Sequence, residues 1–418
     1  GVLSAFRALD HAGLTVASMA HGSATGEQKS LRSFITKANR FSYLGQHKEA
    51  IEVLVAARSA ASSEAEQAHI QKLLCESLLL LGRHDAALDS CAQAVALYQS
   101  VGRTEAGHDT DIARAWSTYG VLFERLGRAG EAFAAHESAI TADQSYAAAW
   151  YNRGVALEHL QRPAEAVRSY RESMRRGSAG SPDAWINLGN ALRKLPQQQA
   201  KTEALHSYSS AIALKPSFLG ARFNKASLLD SMQRQHEAIV EYTAVLDLDP
   251  SYRQARVARG NAYLGSEQLD RAEADYRDAL RADPQSASEL NNLCLVLHRL
   301  DRLEEALATC RDALAVDITH VLSWYNLGTT QHKMGLATSD TGARSQLYDA
   351  SVSSYRRVVS DQPGWVTAWE SLQKLLESAG RMDEASDSGE HASALRRSLL
   401  AVDTGGGGAA LVPPPPPP

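Results

Sequence analysis

The sequence predicts an all-α solenoid of about ten helix-turn-helix hairpins, and three observations carry that expectation. A segment of about 34 residues recurs along most of the chain, with AWYNRGVAL at Ala149, AWINLGNAL at Ala184 and SWYNLGTTQ at Ser323 as its clearest copies. Five of the six tryptophans, Trp116, Trp150, Trp185, Trp324 and Trp369, hold one place in it. Pro216, Pro250 and Pro284 close three copies at intervals of 34 residues. A fixed period of this size marks supersecondary units that bury their apolar faces only by stacking on one another.

Taken in order, residues 1–29 fit the repeat poorly and are expected to be an arm or a capping helix. The first copy starts near Ser30, and its second helix carries Ala50 and Ala57; the next holds LGRHDAALDSCAQA around Gly82. GRTEAGHDTD then lengthens the connection before Trp116. The last copies contain NNLCLVLHRL, SWYNLGTTQHKMG and AWESLQKLLESAG, so the solenoid spans 30–397. Within each unit a small residue (Gly120, Gly154, Gly189, Ala226, Gly260, Cys294, Gly328) marks the close approach of the first helix, A, to the second, B. Alanines such as Ala166, Ala238 and Ala272 are expected to face it, and Tyr170, Tyr208, Tyr242 and Tyr276 to fill the wedge toward the next unit. EEAL, GEAF, AEAV and HEAI open the B helices, where Glu suits the positive end of the helix dipole. KLPQQQAKTEAL and GLATSDTGARSQLYDAS carry extra residues in the turn between helices and are expected on one rim. Residues 398–418 form a tail whose glycines, Gly405 to Gly408, loosen the joint before the polyproline run Pro413–Pro418.

Composition narrows the function. Against 43 basic residues stand 48 acidic ones, a formal charge of −5, with no basic run to neutralise phosphates. Nucleic acid is therefore not an expected partner, and no uncharged apolar stretch is long enough for membrane insertion. The chain begins with Gly1 and lacks the basic and apolar regions of a secretory signal. Its four cysteines form two pairs of equal spacing, Cys75/Cys91 and Cys294/Cys310. These read either as small, soft side chains at a tight helix contact or as a disulfide within a hairpin. Low cysteine use suits a reducing compartment and a cytoplasmic location.

The recurrent W-x-N-x-G and Ala–aromatic pattern resembles the tetratricopeptide repeat family over most of the chain. The resemblance implies a right-handed superhelix whose A helices line a concave groove that holds a peptide of a partner protein. Asn152, Asn187, Asn224, Asn292 and Asn326 fall at one place in five copies. Asparagine is a middling helix former, so propensity alone does not select it repeatedly, and its amide offers donors and an acceptor to any peptide backbone. The ladder is similar to that of the repeat region of O-linked N-acetylglucosamine transferases, where it holds substrate backbone. Tyr151, Phe223 and Tyr325 are expected to supply apolar contact between the amides. The ladder is broken at Ala258, with Thr118 and Ser371 in the flanking copies. The basic residues that a chaperone-tail clamp of this family requires are missing: Ile186, Gln254 and Ala258 stand in one trial register, and Val257, Leu322 and Asn326 in the other.

No metalloprotease, nucleophile-elbow, phosphate-loop or dinucleotide motif occurs, so no catalytic residue, metal or cofactor is expected. His298 and His332 recur at one place beside Arg299 and Lys333, as contacts for an acidic ligand or as solvated rim residues. The function expected is a protein–protein interaction adaptor binding extended peptide segments. Its alternative is the substrate-recognising region of a glycosyltransferase of the resembling class, without the catalytic domain. The polyproline run is a candidate ligand for an SH3, WW or profilin-type partner, because preformed polyproline II loses little entropy on docking.

Overall fold

The structure is a computed structural model that describes residues 26–101 and 108–404. Among these residues lie 20 α-helices and no strand, in ten consecutive A–B pairs, as the period predicts. The chain divides after Lys225 into two compact units. Unit 1 contains α1 (Gly26–Tyr43), α2 (His47–Ala57), α3 (Glu64–Leu80), α4 (His84–Val101), α5 (His108–Arg125), α6 (Ala129–Ala142), α7 (Ala147–His159), α8 (Pro163–Arg175), α9 (Pro182–Arg193) and α10 (Gln198–Leu214). The division falls inside α11 (Leu219–Ser231). Unit 2 continues with α12 (Gln235–Leu248), α13 (Arg253–Gly265), α14 (Leu269–Ala282), α15 (Ala287–Arg299) and α16 (Leu303–Val316). It ends with α17 (Val321–Ala337), α18 (Thr341–Asp361), α19 (Val366–Ser378) and α20 (Met382–Thr404). Helix α1 thus begins at Gly26 and α20 runs to Thr404, each beyond the bounds 30 and 397 read from the repeat. The start of the N-terminal arm, Gly405 to Gly408 and the polyproline tail lie outside the described residues.

Five of the hairpins, three, four, five, seven and nine, close on a ring set against a glycine. A Cβ on Gly154 would lie 2.6 Å from Tyr170, and one on Gly189 would lie 2.7 Å from Tyr208. His136 plays the same part over Gly120, and Tyr276 over Gly260. This corrects the sequence reading: these rings fill their own hairpin rather than the wedge to the next, and they, not the alanines, face the small residue. Tyr170, Tyr208 and Tyr276 are fully buried. Such rings supply the largest apolar burial per hairpin, which is why the B helices need few large aliphatic residues.

The extra residues of GLATSDTGARSQLYDAS do not form a rim loop. They lengthen both helices of hairpin nine, α17 to 17 residues and α18 to 21. Asp340 caps α18 by accepting from Gly342 N and Ala343 N, at 2.8 and 3.2 Å. The added turn repeats the closing device, since Gly335 leaves room for Tyr348 as Gly328 does for Tyr355. The other insertion is likewise absorbed into the first turn of α10, a helix of 17 residues.

The recurrent tryptophan has a local task. Trp150, Trp185, Trp324 and Trp369 each donate Nε1–H to the carbonyl six residues earlier, at 3.0, 2.7, 2.8 and 2.9 Å, and so fix the loop entering helix A. Where tryptophan is missing, Arg222 and Arg256 make the same bond to Pro216 O and Pro250 O, at 3.2 and 2.6 Å. At the other turn, an arginine at the N-cap of helix B pairs with a glutamate three residues on in five hairpins. The pairs are Arg128–Glu131, Arg162–Glu165, Arg234–Glu237, Arg302–Glu305 and Arg381–Glu384.

In eight of the ten hairpins the A-to-B turn contains a left-handed residue. Gly45, Gly82, Gly127 and Gly380 fill it with φ between 72° and 77°. Gln161, Gln233, Glu267 and Asp301 adopt the same conformation at φ 57° to 63°, where a Cβ costs about 1–2 kcal/mol. Gln161→Gly and Gln233→Gly are therefore expected to raise stability by up to about 1 kcal/mol each, read as a higher urea midpoint. A lowered midpoint in both would contradict the assignment of strain to this turn.

Candidate functional site

The ladder asparagines stand two residues before the small residue of each A helix, about 200° around the helix from it. Since the small residue faces the B helix, the asparagines face away from their own hairpin. In unit 1, Asn152 Nδ2 donates to Ser117 Oγ of α5 at 3.1 Å, Asn187 Nδ2 to Tyr151 OH of α7 at 2.7 Å, and Asn224 Nδ2 to Asn190 Oδ1 of α9 at 3.1 Å. In unit 2, Asn292 Nδ2 donates to Asn261 Oδ1 of α13 at 3.2 Å and Asn326 Nδ2 to Asn291 Oδ1 of α15 at 2.9 Å. Each amide therefore ties its A helix to the preceding one.

The acceptors were not legible as a set. Asn190 and Asn261 follow the small residue by one position, a place filled by Val121, Val155 and Leu295 in other copies, so no recurrence marks them. Their carbonyl oxygens also accept from B-helix phenols, Tyr208 OH at 2.8 Å and Tyr276 OH at 2.6 Å. Chains of tyrosine, acceptor asparagine and donor asparagine thus join a B helix to two A helices.

These bonds divide the ladder. Asn152 and Asn326 are buried, 4% and 8% exposed. Asn187, Asn224 and Asn292 are half-buried, with Nδ2 engaged, so Oδ1 is the amide atom best placed to accept from a ligand. Asn292 Oδ1 already meets Asn291 Nδ2 at a long 3.4 Å. Among the aromatics, Tyr151 is buried against Tyr170 and offers little apolar surface. Its phenol is held well above the ordinary range by burial and by the nearby carboxylates of Asp183, Glu124 and Glu158, so it stays neutral. Phe223 is half-buried. Tyr325 is half-buried, stacks on Trp365 at 4.8 Å and shares a hydrogen bond of 3.1 Å with Ser371. At the break in the ladder, next to Ala258, Arg259 grips Asp275 with Nε and Nη2 at 2.8 and 2.7 Å.

The two recurrent histidines are engaged rather than solvated. Thr330 Oγ1 donates to Asn326 O at 2.8 Å, so its contact with His298 Nδ1 at 3.2 Å has the histidine as donor. His332 Nε2 lies 3.3 Å from Ser378 Oγ. The neighbouring cations are paired, Arg299 with Glu267 and Lys333 with Asp301. Burial, with Lys333 beside it, pushes His298 down to about 4, and burial does the same for His69 beside Lys72. Between that value and the unfolded 6.5, the unfolded chain binds more protons than the folded one, so stability falls as pH falls through this window. Each histidine is expected to account for about 1–2 kcal/mol of that loss. His69→Gln and His298→Gln should flatten the dependence of the urea midpoint between pH 6.5 and 4; an unaltered slope in both variants would contradict this.

Among the described residues no group of three or more His, Cys, Asp or Glu side chains is arranged to hold a metal ion. No helix among them is long and apolar enough to cross a membrane.

Comparison with known proteins gives matches to tetratricopeptide repeat family models at residues 35–101, 125–182 and 257–319, and with a second such model at 219–252. Together the matches cover just over half of the chain. No curated protein matches. Among solved structures, the chain is similar to MamA at 20% identity, covering 42% of this chain and 97% of that one with a TM-score of 0.37. YrrB, described as a TPR protein with an unusual peptide-binding site, aligns at 20% identity over 47% of this chain and 95% of that one, TM-score 0.37. The C-terminal part of a TPR repeat-containing protein from Cytophaga hutchinsonii aligns at 15% identity over 62% of this chain and 99% of that one, TM-score 0.49.

Proposed function

The chain belongs to the tetratricopeptide repeat family, and from that premise we propose that it is a non-catalytic adaptor that holds extended peptide segments of partner proteins on the A-helix faces of each unit. The observation that carries this reading is the orientation of the ladder. Its nitrogens are spent between helices, while the half-buried residues Asn187 and Asn224 in unit 1 and Asn292 in unit 2 recur at one place in the repeat, each with an Oδ1 able to accept. An extended peptide presents N–H groups at regular spacing, and an amide oxygen accepts from them whatever the side chains are. Asn152 and Asn326 serve as buried anchors of the same ladder, and Phe223 and Tyr325 supply apolar contact beside the amides.

Neutral hydrogen bonds contribute only about 0.5–1.5 kcal/mol each, so no single asparagine dominates. The triple variant Asn187→Ala, Asn224→Ala, Asn292→Ala is expected to weaken binding of peptides selected from a random display library by more than tenfold. The corresponding aspartates keep an acceptor oxygen, and Tyr151 OH can turn to donate to the one at Asn187. They are therefore expected to retain more of the affinity than the alanines. Unchanged binding in a folded triple-alanine variant would place recognition elsewhere.

A further inference from the structure

The four cysteines of the chain occupy a place that in hairpins three, four and seven belongs to a glycine–ring pair. Cys75 and Cys294 stand on A helices where other hairpins carry Gly120, Gly154 or Gly260, and Cys91 and Cys310 stand on B helices where they carry His136, Tyr170 or Tyr276. Both cysteine pairs and these three glycine–ring pairs share one sequence separation of 16 residues. The exchange is reciprocal in volume: a missing Cβ facing a large ring is replaced by two side chains of equal, small size. Small side chains at both places bring the partners within bonding range, with Cα–Cα distances of 5.2 and 5.4 Å and a disulfide in each hairpin. All four residues are 0–2% exposed, and no cysteine is left free. A chain of 418 residues that confines its four cysteines to two such matched places has no other thiol to mispair with them.

We propose that the two pairs are oxidised staples, one in hairpin two of unit 1 and one in hairpin eight of unit 2, that replace the packing of the absent ring with a covalent link. Reaction with a low-molecular-weight disulfide balances as two cysteine thiols plus one disulfide giving one protein disulfide plus two small thiols. In each pair two S–H bonds are lost and one S–S bond forms, while two electrons and two protons pass to the small disulfide. The sulfurs are buried, so exchange requires the hairpin to open, and the link once formed resists reductant in the folded protein. In a reduced hairpin the two thiols fill less space than a glycine and a tyrosine, so hairpins two and eight become looser than those closed by a ring. The proposal implies that the protein meets an environment that lets these dithiols oxidise.

The test is to unfold and reduce the full chain, refold it in oxidised and reduced glutathione, and alkylate it in denaturant before intact-mass and peptide mapping. Four blocked thiols and two cross-linked peptides, Cys75–Cys91 and Cys294–Cys310, are expected. In the folded oxidised protein, reduction by millimolar reductant is expected to be slower by at least tenfold than in urea. Hydrogen exchange of α3–α4 and α15–α16 should accelerate by up to roughly a hundredfold once reduced, while α7–α8 stays unchanged. Four alkylatable thiols after refolding with oxidised glutathione, cross-pairing between the two hairpins, or identical exchange in both redox states would each overturn the proposal. The variant Gly154→Cys/Tyr170→Cys adds a direct check of the volume exchange. It is expected to form a third link under the same buffer, and persistence of both new thiols while the native pairs oxidise would refute the equivalence of the two pair types.

Discussion

Replacing Asp275 by alanine is expected to destabilise unit 2 by about 3 kcal/mol. Asp275 has a side chain 6% exposed and accepts two bonds from Arg259, whose own side chain is 17% exposed. Removing the carboxylate leaves a guanidinium in a site it cannot leave, and an uncompensated buried charge costs more than the pair itself contributes. Arg259 Nη1 also reaches Thr243 Oγ1 at 3.2 Å on the preceding B helix, so the loss spreads across two hairpins. Arg153 makes the mirrored arrangement in unit 1, with Glu137 on the preceding B helix and Ser169 on its own. Hydrogen exchange in α13 and α14 and the fluorescence of Trp324 and Trp369 report the effect. An exposed pair, Arg234 with Glu237, is the control and should show no measurable change on truncation. Equal effects of the two would contradict the role given to burial.

Gly154→Val is expected to cost about 3 kcal/mol or more, because its Cβ alone would sit 2.6 Å from a fully buried tyrosine ring. Gly260→Ala is the informative comparison. There the Cβ meets Tyr276 at 3.1 Å, so a shift of a few tenths of an ångström relieves it. Helix propensity returns about 1 kcal/mol for alanine over glycine, which brings the net change close to zero. Gly154→Ala carries the same chemistry as Gly260→Ala and differs from it in clearance, so the difference between these two in urea midpoint measures the ring contact itself. A similar loss in both would show that backbone freedom, not the ring, selects glycine here.

The fold was legible because its cause is periodic: the tryptophan, the small residue and the closing ring recur in the chain as they do in space. What the period could not show was the partner of each recurring residue. The ring at Tyr170 and the glycine at Gly154 are both conspicuous, yet their separation of 16 residues does not say that they touch, since a hairpin brings many pairs together at similar separations. The inserted residues of hairpin nine contain Gly and Thr and look like loop, but the pair Gly335 and Tyr348 lets both helices run one turn further. For the site, the donors Asn152, Asn187, Asn224, Asn292 and Asn326 were legible as a column, while their acceptors were not. Ser117, Tyr151 and Asn291 stand three residues before the small residue and Asn190 and Asn261 one after it, so the acceptors are split between two places and differ in residue type, and only three-dimensional stacking selects them.

The most direct test of the proposed adaptor function is a titration of protein selectively labelled with ¹⁵N-asparagine, using a peptide selected from a random library. The side-chain amide signals of Asn187, Asn224 or Asn292 are expected to shift on binding, because a new acceptor bond at Oδ1 polarises the same amide whose Nδ2 is held by the preceding helix. Signals of Asn152 and Asn326 should move less, being buried. Saturable binding that leaves all five amide signals in place would contradict the claim that the A-helix ladder holds the ligand.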